Sequence, residues 1–325
     1  MVPLPTTAPG RTRHRAPLGF TVTELMVVIA IIAVLIGILF PVLRRVQASA
    51  RTVKCLTNQR QIMTAWSTYA VSNAGRLVSP CTDGGLGATN RAGRVDGANM
   101  PIRDLGWTHW WVWAYNGGTH TGLRTVAGKT YELPSSITSG VLYPYVGNMA
   151  TYASPEEPAA SEGGMGARIR SYSINCALGT SRPNENTNYD QPFLEAFHGQ
   201  QASIDRYGTT TLGTVKYPAR TLATIVENDP ANYNGQGWVI QPDVPMWVDS
   251  PATWRPDAIT FSYADGSTGT YALTDARLIA GWSTKGHNYL QPIDAAAGFA
   301  IDWKFFRDRI NPGVIPESNF GFGGN

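Results

Sequence analysis

Along the first quarter of the chain the pattern of polar and apolar residues changes character twice. Residues 1–19 are polar and basic, with Arg11, Arg13, His14 and Arg15 and no acid. From Leu25 to Phe40 sixteen residues follow without a charge or a strongly polar side chain, and Val22 and Thr23 extend the run around one carboxylate, Glu24. Wound as a helix, Phe20 to Leu43 would measure about 36 Å, enough to cross a bilayer. Basic residues ahead of such a stretch hold that end in the cytoplasm. Beyond Pro41 the pattern turns amphipathic. Leu43, Val46, Ala50 and Val53 recur at spacings of three and four, Ile62, Trp66 and Tyr69 continue the stripe, and Arg44, Arg45, Arg51, Lys54 and Arg60 take other positions. Ser72-Asn73-Ala74-Gly75 is a stop signal. The pattern predicts one helix from Phe20 to Ser72, about 80 Å long. Pro41, which lacks one backbone donor, is the place for a bend. Arg44 and Arg45 either contact lipid headgroups or simply mark the end of the span.

Glu24 is the costly residue. A carboxylate within an apolar helix costs about 2.5–3.5 kcal/mol on insertion scales and needs a partner. The helix offers no cation nearby. A secretory signal places its small-residue cleavage site after the apolar run. Here the Gly19-Phe20 junction precedes it, so cleavage would leave the apolar helix in the mature chain. The new amine at Phe20, on a neighbouring copy, would then partner Glu24. The alternative is a plain signal anchor with an incidental Glu.

The body, residues 76–325, shows no internal repeat. Residues 76–106 are rich in Gly, Asn, Asp and Arg and read as a long loop. Residues 107–115 are an aromatic cluster. Trp107, Trp110, Trp111 and Trp113 form either a ligand platform for sugar or peptide or a packing surface, the commoner fate of aromatics. Strand-like runs follow at 168–175, at 221–226 and at 259–263, where Ile259, Phe261 and Tyr263 alternate with polar residues. Asp265-Gly266 then precedes residues 268–273, the strongest hairpin signal in the chain. Phe299, Trp303, Phe306 and Ile310 fall at helical spacing, and Asn311-Pro312-Gly313 stops that helix. The fold class is therefore α+β, with one long amino-terminal helix, an antiparallel sheet and a short carboxy-terminal helix.

Composition narrows the function. Charged residues are 15% of the chain, below the roughly 25% of an average domain. Net charge is +3, and without the three leading arginines the rest carries 23 basic and 23 acidic side chains. That is no nucleic-acid footprint. The five histidines are scattered, and neither a His-Glu-x-x-His nor a Gly-x-Ser-x-Gly run occurs. Gly122 to Thr130 resembles a phosphate loop but has one intervening residue too many and reads as a turn. Cys81 and Cys176 would face an oxidising compartment in an exported body, where they either pair or stay free as small apolar side chains beside Cys55.

The residues Gly19-Phe20-Thr21-Val22-Thr23-Glu24, followed by the apolar run from Leu25, resemble the signal of type IV pilins and type II secretion pseudopilins. The resemblance implies cleavage after Gly19 by prepilin peptidase, methylation of the Phe20 amine, and pairing of Glu24 with the Phe20 amine of the next subunit. Pro41 falls where that family often has a helix-kinking proline. Cys55-x-x-Asn58-x-x-Gln61 and Tyr69-Ala70-x-x-Asn73-x-Gly75 are similar to the large prepilin-like family whose processing-associated domain is named for a His, nine residues, then Asp-Gly. Phe261 to Ser267, Asp302 to Ile310 and Arg170 to Asn175 resemble its later motifs. The chain departs from it at Arg255, where that family has His, and at Ala153, where a Cys would often stand. Pseudopilins use calcium in carboxy-terminal loops, and Asp83, Asp96 and Asp104 offer oxygen ligands, without a calcium-loop spacing. No other cofactor is implied.

The resulting expectation is a non-enzymatic filament subunit with a leader (1–19), a membrane-spanning and filament-core helix (20–43), its amphipathic continuation (44–75) and an exported head (76–325). It would sit in the bacterial inner membrane, single-pass, with its head on the extracytoplasmic side. Its partners would be prepilin peptidase, an inner-membrane assembly platform, membrane lipid, and other pilin-like subunits or copies of itself. The competing expectation is a membrane-anchored binding protein for a glycan or peptide, delivered by the same signal. An exported hydrolase finds no motif to support it.

Overall fold

A computed structural model describes residues 20–80, 111–112, 123–126, 129–157, 169–179, 207–228, 237–238, 240–242, 246–247, 249–275, 291–292 and 300–315. Helix α1 runs Val22–Ser72 and includes Pro41. Among the described residues the other α-helices and strands are β1 (Leu123–Val126), β2 (Lys129–Glu132), α2 (Pro134–Thr138), α3 (Tyr143–Val146), β3 (Tyr172–Ile174), β4 (Leu222–Asn228), β5 (Ile240–Gln241), β6 (Met246–Trp247), β7 (Ser250–Pro251), β8 (Ile259–Tyr263), β9 (Thr268–Tyr271), β10 (Gln291–Pro292) and α4 (Ala300–Arg307). The chain divides into two compact units, Met1–Ser49 and Ala50–Asn325.

In the first unit the described part is helix. Its apolar side chains from Leu25 to Leu43 are all exposed. This helix is long and apolar enough to cross a membrane.

In the second unit the helix is buried along one face. Cys55, Asn58, Gln59, Ile62, Met63, Ala65, Trp66, Tyr69 and Ala70 line it. The expected stripe through Ala50 and Val53 is corrected here, since both are exposed. The buried face keeps helical spacing but contains two polar residues, Asn58 and Gln59, which hide it from a hydrophobicity pattern. The helix stops at Ala74, which takes φ +54°, and Gly75, with φ +81°. The Gly75 N–H donates to the Ala70 carbonyl at 2.7 Å, the long link of a Schellman ending.

The principal sheet is antiparallel in the order β3-β4-β8-β9, with β7 paired to the far end of β4. Ile174 faces Thr224, Ile225 faces Phe261, and Ile259 faces Tyr271. The β8–β9 hairpin closes as its Asp-Gly signal predicts. The Gly266 N–H donates to the Tyr263 carbonyl at 2.9 Å, Gly266 takes φ +85°, and Asp265 Oδ1 accepts the Ser267 N–H at 2.9 Å. This is a three-residue loop whose last residue needs glycine's freedom. The strand expected at 168–175 shortens to β3, and the closing helix shortens to α4.

The sheet has helices on both faces. On one, Ile62 of α1 packs with Tyr172 and Val226, while Trp66 and Tyr69 join a cluster with Ile174, Trp111 and Tyr152. On the other, Trp303 and Phe306 of α4 pack with Ile225, Ile259, Phe261, Trp238 and Trp247. Burying aromatic side chains of this size dominates the apolar gain of folding. Smaller pairings are β1 with β2 and β10-β6-β5. Lys129 and Thr130 open β2, which pairs antiparallel with β1, so the phosphate-loop likeness ends in a strand where the motif requires a helix.

Candidate functional site

The amino-terminal end of α1 is built around a reciprocal pair. Thr21 Oγ1 accepts the Glu24 backbone N–H at 3.2 Å, and the Glu24 carboxylate accepts both the Thr21 N–H and its hydroxyl at 2.8 Å. This is a capping box, in which two orphan donors of the first turn satisfy each other's residues. Thr21-Val22-Thr23-Glu24 carries its Thr-x-x-Glu signature, so Glu24 has a local partner within its own chain. Phe20, immediately before it, is 75% exposed. Gly19 lies outside the described residues.

Beyond this cap the exposed apolar run ends at Leu43 and cations begin. The Arg44 guanidinium lies 4.3 Å from the centre of the Phe40 ring. After Glu24, α1 contains no further acid.

Within the second unit, α1 is fixed by polar contacts that periodicity did not reveal. Gln59 Nε2 donates to Thr260 Oγ1 at 2.9 Å, and Thr224 Oγ1 donates to Gln59 Oε1 at 2.8 Å. The amide thus spans β4 and β8. Asn58 Nδ2 donates to the Ala153 carbonyl at 3.0 Å, and Thr151 Oγ1 to Gln61 Oε1 at 3.1 Å. Buried polar groups must be partnered in this way, or their desolvation is uncompensated. The Cys55 thiol and the Ser154 hydroxyl share a hydrogen bond at 3.0 Å. Burial pushes the Cys55 pKa up, and it pushes that of the fully buried Cys176 up further.

Arg255, at the position where the resembled family has His, forms a bidentate pair with Asp257 at 3.0 and 3.2 Å. It also donates to Thr52 Oγ1 at 3.1 Å and stands 3.5 Å from Glu156. The hydrogen bond to Asp257 raises the pKa of the guanidinium and lowers that of the Asp257 carboxyl. The cluster ties α1 to two loops.

Trp111 is fully buried, stacks on Tyr152, and donates its indole N–H to the Pro80 carbonyl at 3.0 Å. Its place is in the packing of the head, with no face open to a ligand. Trp107, Trp110, Trp113, Cys81, Asp83, Asp96 and Asp104 lie outside the described residues. Among the described residues, no group of three or more metal-ligating side chains converges.

Against known proteins, residues 15–40 match the family model of the prokaryotic N-terminal methylation motif. The chain therefore carries a prepilin-type signal, with the Gly19-Phe20 junction, Thr21 and Glu24 all inside the matched stretch. No curated protein and no solved structure matches.

Proposed function

Taking the prepilin-type signal as premise, we propose that this chain is a pilin-like subunit whose work is assembly. Prepilin peptidase cuts after Gly19, and the new Phe20 amine is methylated. Residues 20–43 hold the protein in the inner membrane, with the head, residues 76–325, on the extracytoplasmic side. The apolar helix then leaves lipid for the core of a type IV pilus-like or type II secretion filament, packed against other pilin-like subunits or copies of itself. Glu24 sets the register by pairing with the Phe20 amine of the next subunit, and Pro41 is where the helix bends. Non-closing head-to-tail contacts of this kind generate helical filaments.

The observation that carries this reading is the coincidence of the matched motif with a helix whose apolar side chains are exposed from Leu25 to Leu43. Such a surface is stable only in lipid or against other apolar helices. Mass spectrometry of the mature amino terminus from host membranes tests it. An N-methylated Phe20 start, abolished in Gly19→Ala, is expected. An intact Met1, or cleavage beyond residue 41, would overturn it.

A further inference from the structure

Helix α1 carries one acid, Glu24 in its first turn, and five cations, Arg44, Arg45, Arg51, Lys54 and Arg60. All five are exposed, and none of them forms an ion pair with a described residue. Among the described residues, some cations elsewhere do have such partners. Arg255 is paired with Asp257 and Glu156, and Lys304 and Arg307 are paired with Asp308. The run of exposed cations on α1 begins one residue after the apolar run ends.

Position separates these five residues. Counted along the helix from Leu43, the rise of about 1.5 Å per residue puts Arg44 and Arg45 within about 3 Å, Arg51 at about 12 Å, Lys54 at about 17 Å and Arg60 at about 26 Å. The headgroup zone of one leaflet is about 6–8 Å deep, and a Debye length adds about 8 Å at physiological salt. Arg44 and Arg45 fall inside the headgroup zone, Arg51 within its field, and Arg60 outside both. Guanidinium groups match phosphate oxygens in a planar, two-pronged geometry. The placement also has a cost. Cations on the exported flank oppose the intended orientation, so Arg11, Arg13 and Arg15 of the leader must outweigh them during insertion.

Resting on the reading of residues 20–43 as a membrane span, we propose that Arg44, Arg45 and Arg51 form a binding site for anionic phospholipid headgroups in the leaflet that faces the head. The site holds the subunit in the bilayer before assembly and is vacated when the helix enters a filament. Its occupant is a lipid phosphate because the charges continue directly from the apolar span and no carboxylate of α1 answers them.

The test uses the full-length processed chain, purified in mild detergent and presented with equal amounts of phosphatidylglycerol and phosphatidylcholine. Native mass spectrometry reads the lipids retained. At low salt the wild type should retain phosphatidylglycerol about tenfold or more over phosphatidylcholine, because each cation near the surface favours the anionic lipid. Arg44→Gln with Arg45→Gln and Arg51→Gln should bring the ratio near parity. The same three positions changed to Lys should keep part of the preference, and Arg60→Gln all of it. Equal retention by the wild type overturns the proposal, as does a preference that survives the triple Gln change. Cross-linked oligomers lost in the triple variant, without any lipid preference in the wild type, would give these cations to a second copy instead. Carbonate washing of vesicles holding the same chains separates this outcome from failure of the span itself. A chain released by carbonate refutes the span, whereas one that stays without lipid preference refutes only the headgroup site.

Discussion

The Arg255 guanidinium and the Glu156 carboxylate stand 3.5 Å apart, with the arginine side chain 25% exposed and the glutamate 5%. Thr52 donates to the same carboxylate at 2.6 Å, so Glu156 is held from both α1 and the Arg255 loop. Among the described residues, the groups facing position 255 include Glu156, Asp257, Thr52 and, through a weaker coulombic effect, Cys55.

Replacing Arg255 by His should turn a pH-insensitive contact into a pH-sensitive one. Glu156 and Asp257 would raise the histidine pKa above its ordinary value near 6.5. Its contribution is then complete below that value and lost as pH rises through the folded pKa. Denaturation midpoints of Arg255→His should fall between about pH 6 and pH 8, by under about 1 kcal/mol for so exposed a pair. The wild type should lack this added step, which the difference between the two profiles isolates. Its own loss comes as pH falls through the lowered Asp257 pKa, below the ordinary aspartate range.

Gln59→Leu should destabilise the head by about 1–3 kcal/mol, because the buried hydroxyls of Thr224 and Thr260 would lose the amide that faces them. Chemical denaturation followed by tryptophan fluorescence measures it. A variant as stable as the wild type would show that the amide is not needed where it lies.

Ala74→Gly should stabilise the protein by up to about 1 kcal/mol. A left-handed alanine costs about 1–2 kcal/mol, from which glycine's extra unfolded-state entropy is subtracted. Among the described residues Ala74 alone has positive φ without being glycine. A rise in the thermal midpoint is the readout.

Thr21→Val should fray the first turn of α1, at a cost of about 0.5–2 kcal/mol, while Thr21→Ser keeps the cap. Amide exchange of the Glu24 N–H in micelles reports it, faster in Val and unchanged in Ser. Equal protection in all three would remove the cap from the list of what orders this end.

Much of this was legible before any coordinates, for physical reasons that differ by element. The long helix announced itself through an uninterrupted apolar run and then through spacing. The β8–β9 hairpin was legible because Asp265-Gly266 admits few turns. The buried face of α1 was not, because Asn58 and Gln59 are polar residues whose partners, Ala153, Thr224 and Thr260, lie far away in sequence. Two-residue strands such as β5, β6 and β7 are too short to carry a period. Trp111 could be placed only by tertiary contact, since an aromatic cluster reads alike whether it faces a ligand or a core. Thr21 is readable as a cap from its spacing to Glu24, whereas the cost of a carboxylate in an apolar helix points to a partner outside it.

If the head is exported to an oxidising compartment, as proposed above, the burial of Cys55 imposes an order of events. Exchange with a disulfide needs a thiolate that another sulfur can reach. Once Ser154 and Tyr172 close over α1, Cys55 is neither ionised nor reachable. A wrong covalent link at this position can form only in the interval before the helix docks. Docking therefore acts as a clock, and a head that folds slowly would record its delay as mixed disulfides at residue 55.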